Sequence, residues 1–154
     1  MVASGSAQLM QVDFYQLTHD PAEKVLALLA QKTLDSGKRL LVVSAHEEQL
    51  AAISTALWSA SPDSFLAHDF AGSPKQTEQP ILLNDTPQNG NKASFIALAD
   101  GEWRDEATGF ERAFYLFGRD ELDAARATWR RLGEDESITR KFWKQDGGRW
   151  VEGP

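Results

Sequence analysis

Three histidines, His19, His46 and His68, are the side chains of this chain best suited to move a proton or hold a metal near neutral pH. None lies within a helical turn of another, and no cysteine is present to complete a thiolate site. His19 and His46 stand where helices are expected to begin, which suits a plain polar role. Adjacent carboxylates occur at Glu47-Glu48 and Asp105-Glu106, a pairing that acid–base catalysis uses. Both pairs fall on polar stretches, where solvation accounts for them. No serine sits in a G-x-S-x-G elbow, and no G-x-x-x-x-G-K-[ST] loop occurs. After the first strand-like run, where a dinucleotide fold carries G-x-G-x-x-G, the chain reads Leu17-Thr18-His19-Asp20-Pro21. No catalytic residue, cofactor or metal is expected. The competing enzyme reading, a small α/β enzyme with a site built from scattered Asp, Glu and His, lacks both a phosphate-binding turn and a nucleophile context.

The remaining chemistry is aromatic and cationic. Five tryptophans are generous for 154 residues, and Trp58, Trp129 and Trp150 stand near polar or basic neighbours. Trp and Arg concentrate at interface hot spots, but indoles also fill core gaps in small domains. For Trp129 both roles are open, because Leu122, Ala125, Trp129 and Leu132 form one helical stripe. The formal charge is −7, distributed unevenly: residues 1–124 balance at −9 and residues 125–154 at +2. An acidic body with a small basic end is poorly suited to neutralising a phosphate backbone and better suited to an acidic peptide. A direct single-stranded nucleic-acid binder, stacking bases on aromatics, is the third reading.

These residues have to be positioned by recognisable elements. Val12–Leu17 reads as a strand, followed by Asp20-Pro21-Ala22-Glu23 as a helix start with Asp20 as cap. Ala22, Val25, Leu26, Leu29 and Thr33 share one helical face, and Gly37 supplies a stop. Leu40–Val43 is a continuous apolar run, as expected of a strand covered on both faces. Ser44-Ala45-His46-Glu47 has the pattern of a capping box opening a second helix, with Leu50, Ile53 and Leu57 inward. Residues 59–80 read as an irregular connection. Ile81–Leu83, Phe95–Leu98 and Phe114–Phe117 are further strands, and a last helix runs from about Glu121 to Leu132. Phe142-Trp143 and Arg149-Trp150 flank Gly147-Gly148 as a candidate hairpin. Strand and helix alternation with short joins predicts one three-layer α/β sandwich with a mainly parallel, Rossmann-like sheet. Residues 1–9 are small, uncharged and aperiodic and read as a fusion remnant, leaving a domain over 10–154 with a C-terminal tail from about 134. No apolar run is long enough to span a membrane and no secretory signal is visible, so a cytoplasmic protein is expected.

Read in order, these segments resemble the chi subunit family of DNA polymerase III. The resemblance rests on Asp13-Phe14-Tyr15, Ser36-Gly37-Lys38-Arg39, Leu57-Trp58, Ser64-Phe65-Leu66-Ala67-His68 with Ala71-Gly72, Pro80–Leu83, Phe110-Glu111-Arg112 and Ala124-Ala125-Arg126. It implies a Rossmann-like fold without catalytic activity, linking the polymerase's clamp-loader complex to single-stranded-DNA-binding protein. It also implies that the acidic C-terminal tail of that protein, ending in Pro-Phe, meets Arg126, Trp129 and Arg130. A second surface, at Leu57, Trp58, Phe65 and His68, would hold the psi subunit or a repair helicase, and DNA would be reached mainly indirectly. The chain departs from the family pattern at Trp129, where Tyr is frequent, at Leu122 in place of a basic residue, and at Ala67 in place of Pro.

Overall fold

A computed structural model describes residues 9–18, 20–59, 66–146 and 149–153. His19, Phe65 with the rest of 60–65, Gly147-Gly148, and all but Leu9 of the expected fusion remnant therefore lie outside the described residues.

The described residues form eight strands: β1 (Met10–Gln16), β2 (Leu40–Val43), β3 (His68–Phe70), β4 (Ile81–Asn84), β5 (Phe95–Leu98), β6 (Arg112–Phe117), β7 (Ile138–Asp146) and β8 (Arg149–Glu152). They make one sheet in the order β3-β4-β2-β5-β6-β1-β7-β8. Every pairing is parallel except that of β7 with β8. Helices α1 (Ala22–Asp35) and α2 (Glu47–Ser59) cover one face, and α3 (Leu122–Leu132) covers the other. Alternation along each strand divides the core in two: Leu40, Val42, Phe114 and Leu116 pack under α1 and α2, while Val12, Phe14, Tyr115 and Phe117 pack under α3. This is the expected three-layer α/β sandwich with a mainly parallel sheet.

The inward faces fall as the periodicity predicts. Ala22, Val25, Leu26, Leu29 and Thr33 of α1 are buried, as are Leu50, Ile53 and Leu57 of α2. Gly37 ends α1 in the left-handed region at φ +79°, which a side chain would disfavour.

Several local expectations differ. Asp20 does not cap α1; its carboxylate accepts from Gln145 Nε2 at 3.0 Å and Lys24 Nζ at 3.3 Å, and Pro21 takes the cap position without a side-chain bond. Ser44 answers to Gln49 rather than Glu47: its hydroxyl lies 2.5 Å from Gln49 Oε1 and accepts the His46 N–H at 3.1 Å. The stretch read as irregular contains β3, which finds a ladder partner in β4 despite its three residues. The tail does fold back as a hairpin, but β7 is nine residues long and extends the sheet beside β1 in parallel.

Candidate functional site

Parallel sheets usually hold ligands beyond the carboxyl ends of their strands. That crevice is lined here by Glu23, Glu48, Asp100 and Glu121. Glu121 Oε1 accepts the Gly118 N–H at 2.8 Å, and a Cβ on Gly101 would lie 2.5 Å from the same carboxylate. Asp100 receives Arg104 through two bonds of 2.9 and 2.8 Å and the Ala45 N–H at 2.9 Å. Burial works against ionisation there, but these donors hold the Asp100 carboxyl below its usual range. A phosphate would meet these carboxylates, two of them already bonded within the fold, and no Lys or Arg among the described lining residues. This geometry disfavours nucleotides. Among the described residues, no three His, Asp or Glu side chains converge as a metal-binding group. No helix among them is long and apolar enough to cross a membrane.

A different groove lies where α3 meets the β7–β8 hairpin. Ala125, Thr128 and Leu132 turn inward from α3, which leaves Arg126 and Arg130, one turn apart, facing outward. Both line a cavity of about 650 Å³ together with Trp129, Phe142 and Lys144. Neither arginine, nor Lys144, makes a side-chain hydrogen bond or ion pair among the described residues, whereas Arg131 on the same helix is bound to Asp105 at 3.2 Å. Asp146 and Glu152 also border the groove, so its described lining carries a formal charge of +1 from three cations and two carboxylates.

Trp129 packs into the core and also lines the groove. Its ring meets Phe14 edge-on at 5.2 Å and Phe142 at 5.7 Å, and the Arg140 guanidinium lies 4.2 Å from its centroid. Arg140 also donates to the Trp129 carbonyl. Gly133 makes this approach possible, since a Cβ there would lie 2.5 Å from the Arg140 guanidinium carbon. The indole is thus half-buried, anchored in the core, with its remaining surface on the groove. Lys144 and Phe142 were missed by sequence reasoning. They sit two apart on β7 and share its α3-side face, so the signal was the alternation in Phe142-Trp143-Lys144, legible only once β7 is known to be a strand.

The hairpin is held in place by Gln145. Its side-chain carbonyl accepts the N–H groups of Thr18 at 3.0 Å and Asp20 at 3.3 Å, and its amide donates to Asp20 Oδ2. Loss of an Asp20 cap on α1 is thereby compensated by a tie between the first loop and the last hairpin.

The four residues expected at a second surface separate by burial. Leu57 is fully buried and cannot touch a partner; it belongs to the core beneath α2. His68 is also buried, with Nε2 2.7 Å from Ser54 Oγ and Nδ1 2.9 Å from the Leu66 carbonyl. Phe65 lies outside the described residues. Trp58 is 52% exposed and leans on the His68 ring at 4.6 Å, so His68 acts as a fixed backing for the indole. Phe70, exposed and two residues past His68 on the same face of edge strand β3, adds an aromatic that the sequence reading did not include.

Comparison with known proteins adds an independent line. Residues 9–138 match the family model described as DNA polymerase III chi subunit, HolC. A protein of Rickettsia prowazekii (strain Madrid E) named "Probable DNA polymerase III subunit chi" is 24% identical over 90 residues, which are 58% of this chain and 54% of that protein. The chain thus matches about half the length of that relative. The family match ends at the first residue of β7, so nearly all of the hairpin that walls the groove lies beyond it.

Proposed function

The chain belongs to the DNA polymerase III chi subunit family, a family of non-catalytic accessory subunits, and we propose that it links the clamp-loader complex to single-stranded-DNA-binding protein in the cytoplasm by taking up that protein's acidic C-terminal tail. The observation that carries this reading is the groove of about 650 Å³ in which Arg126, Arg130 and Lys144 surround a half-buried Trp129. A tail ending in Pro-Phe would lay its ring against Trp129 and Phe142 and its terminal carboxylate against the guanidiniums, whose fork matches a carboxylate. Asp146 and Glu152 would repel the tail's other carboxylates, keeping them toward α3.

A calorimetric titration of the tail peptide at low salt tests the reading. Saturable binding that weakens as salt rises is expected. Removing the terminal Phe should weaken it by about tenfold or more, the loss typical of an interface anchor. Equal affinity for the full and truncated peptides would refute it. Binding of a single-stranded oligonucleotide in place of the peptide would favour a direct nucleic-acid binder instead.

The second partner, a psi-type subunit or a repair helicase, would take the surface carrying Trp58, with the buried His68 ring backing the indole. Trp58→Ala is expected to weaken that partner by more than about 1 kcal/mol, because an exposed indole on a fixed backing is a typical anchor. The check is partner affinity together with a denaturation midpoint. Unchanged affinity with lower stability would show that Trp58 only covers the core. Leu57→Ala would be uninformative, since a buried leucine costs about 2–5 kcal/mol of fold stability when truncated.

A further inference from the structure

On the sheet face opposite Arg126, the same β7–β8 hairpin forms one wall of a second groove, of about 520 Å³, whose other wall is α1. It lies at the opposite end of the sheet from the Trp58 surface, since β3 and β8 are the two edge strands. Tyr15 and Phe114 form its floor; Trp143 and Trp150 stand on the hairpin side, Leu28 and Lys32 on the α1 side. Leu28 is 55% exposed at the rim and extends the apolar wall of the groove.

Three features point to an occupant. The Trp143 indole Nε1 is buried and has no hydrogen-bond partner among the described residues, a state that natural structures rarely leave unanswered. The Tyr15 hydroxyl makes no hydrogen bond among the described residues either. Burial, with the Asp13 carboxylate nearby, pushes its pKa well above the usual phenol value, so it stays a donor. Finally, the lining among the described residues holds Lys32 and Arg112 and no carboxylate, in a chain of net charge −7. Arg112 is neutralised by Asp13, but Lys32 has no ion-pair partner among the described residues. The groove therefore offers apolar walls, unanswered donors and one uncompensated cation.

We propose that this groove binds an extended peptide segment of a partner protein that carries a bulky apolar side chain two residues before a carboxylate. Leu28 and Lys32 are one turn apart, a rise of about 6 Å. Side chains two apart on an extended peptide recur about every 6.5–7 Å on one side. The apolar side chain would enter beside Leu28 and Trp150, the carboxylate would reach Lys32, and the peptide carbonyls would accept from Trp143 and Tyr15. This assignment does not depend on the tail reading of the Arg126 groove.

The experiment follows the five indole N–H signals of ¹⁵N-labelled full chain, with that of Trp143 identified by its loss in Trp143→Phe. The probes are acetyl-Phe-Ala-Asp-amide and acetyl-Phe-Ala-Asn-amide. The Asp peptide should move the Trp143 signal saturably. The Asn peptide, or the Asp peptide on Lys32→Glu, should bind about tenfold more weakly, as expected for loss of one charge-assisted contact. Arg126→Glu should leave the response unchanged, separating this groove from the other. A Trp143 signal that stays fixed at millimolar peptide overturns the proposal, as does equal binding of both peptides or of the Lys32→Glu protein.

Discussion

Replacing Arg126 by Glu should reduce affinity for the acidic tail peptide by about 100-fold or more while leaving fold stability within about 0.5 kcal/mol of wild type. The effect is large for two reasons. A charge-assisted hydrogen bond contributes roughly 1.5–3 kcal/mol, and reversal replaces it with repulsion toward a peptide rich in carboxylates. The new carboxylate would also stand four residues before Arg130, the favourable order for a helical ion pair. It would therefore draw off a second cation while supporting α3. The fold should tolerate the change because Arg126 is exposed and has no ion pair among the described residues. Arg126→Ala removes one contact without engaging Arg130, so its loss should be intermediate. Trp129→Ala would confuse the result, since that ring also packs on Phe14 and Phe142 and underlies Arg140. Titration of the three proteins at one low salt concentration, with a denaturation midpoint for each, makes the comparison. Equal affinity of wild type and Arg126→Glu would place the tail site elsewhere.

The physics of periodicity explains which parts of this fold could be read from the sequence. Leu40–Val43 has no polar alternation, so two-sided cover was the economical reading, and the sheet supplies it there and, beyond that reading, at Ile81–Leu83. The buried stripe of α1 follows directly from its 3.6-residue spacing. Caps were less legible because they depend on where a side chain finds its partner. Asp20 has the right type and position for a cap, but Gln145, 125 residues away, claims it. β3 is too short to show any period and exists because β4 offers it a ladder.

The candidate site divides in the same way. Arg126 and Arg130 were legible as a helical i, i+4 pair, and the cavity includes both. The opposite wall was not legible, because Lys144 and Phe142 reach the groove only through the parallel pairing of β7 with β1. At the second surface, Leu57 and Trp58 are neighbours in sequence, and nothing in that adjacency reveals that one faces the core and the other solvent. Helical geometry separates consecutive residues by about 100° around the axis. The inward set Leu50, Ile53 and Leu57 already assigned Leu57 to the core, so its inclusion in an interface conflicted with the periodicity.

Arg112→Met should be strongly destabilising, at about 3–5 kcal/mol, the range seen when one member of a buried ion pair is removed. Asp13 lies on β1 with its side chain fully buried. It accepts from Arg112 Nε at 2.7 Å and from Gln11 Nε2 at 2.9 Å, with Arg112 Nη2 at 2.6 Å completing the fork. The guanidinium also lies over Phe114 at 5.1 Å and Phe95 at 6.0 Å, while its side chain keeps 38% exposure. The pair is therefore asymmetric. Without Arg112 the carboxylate keeps Gln11 as its one hydrogen-bond donor among those described, with no access to water. Without the carboxylate, Arg112 can hydrate at its exposed edge and keep its aromatic contacts. Asp13→Asn should accordingly cost less than Arg112→Met, and the double change Asp13→Leu with Arg112→Met should recover much of the single-mutant loss, because an apolar pair has no charge to desolvate. Urea denaturation of the three variants reads this directly, with a falling midpoint at unchanged slope marking a loss of stability rather than a change in the surface exposed. A larger cost for Asp13→Asn than for Arg112→Met would show that the carboxylate, rather than the guanidinium, is the partner able to survive alone, and would reverse the account of what holds β1 against β6.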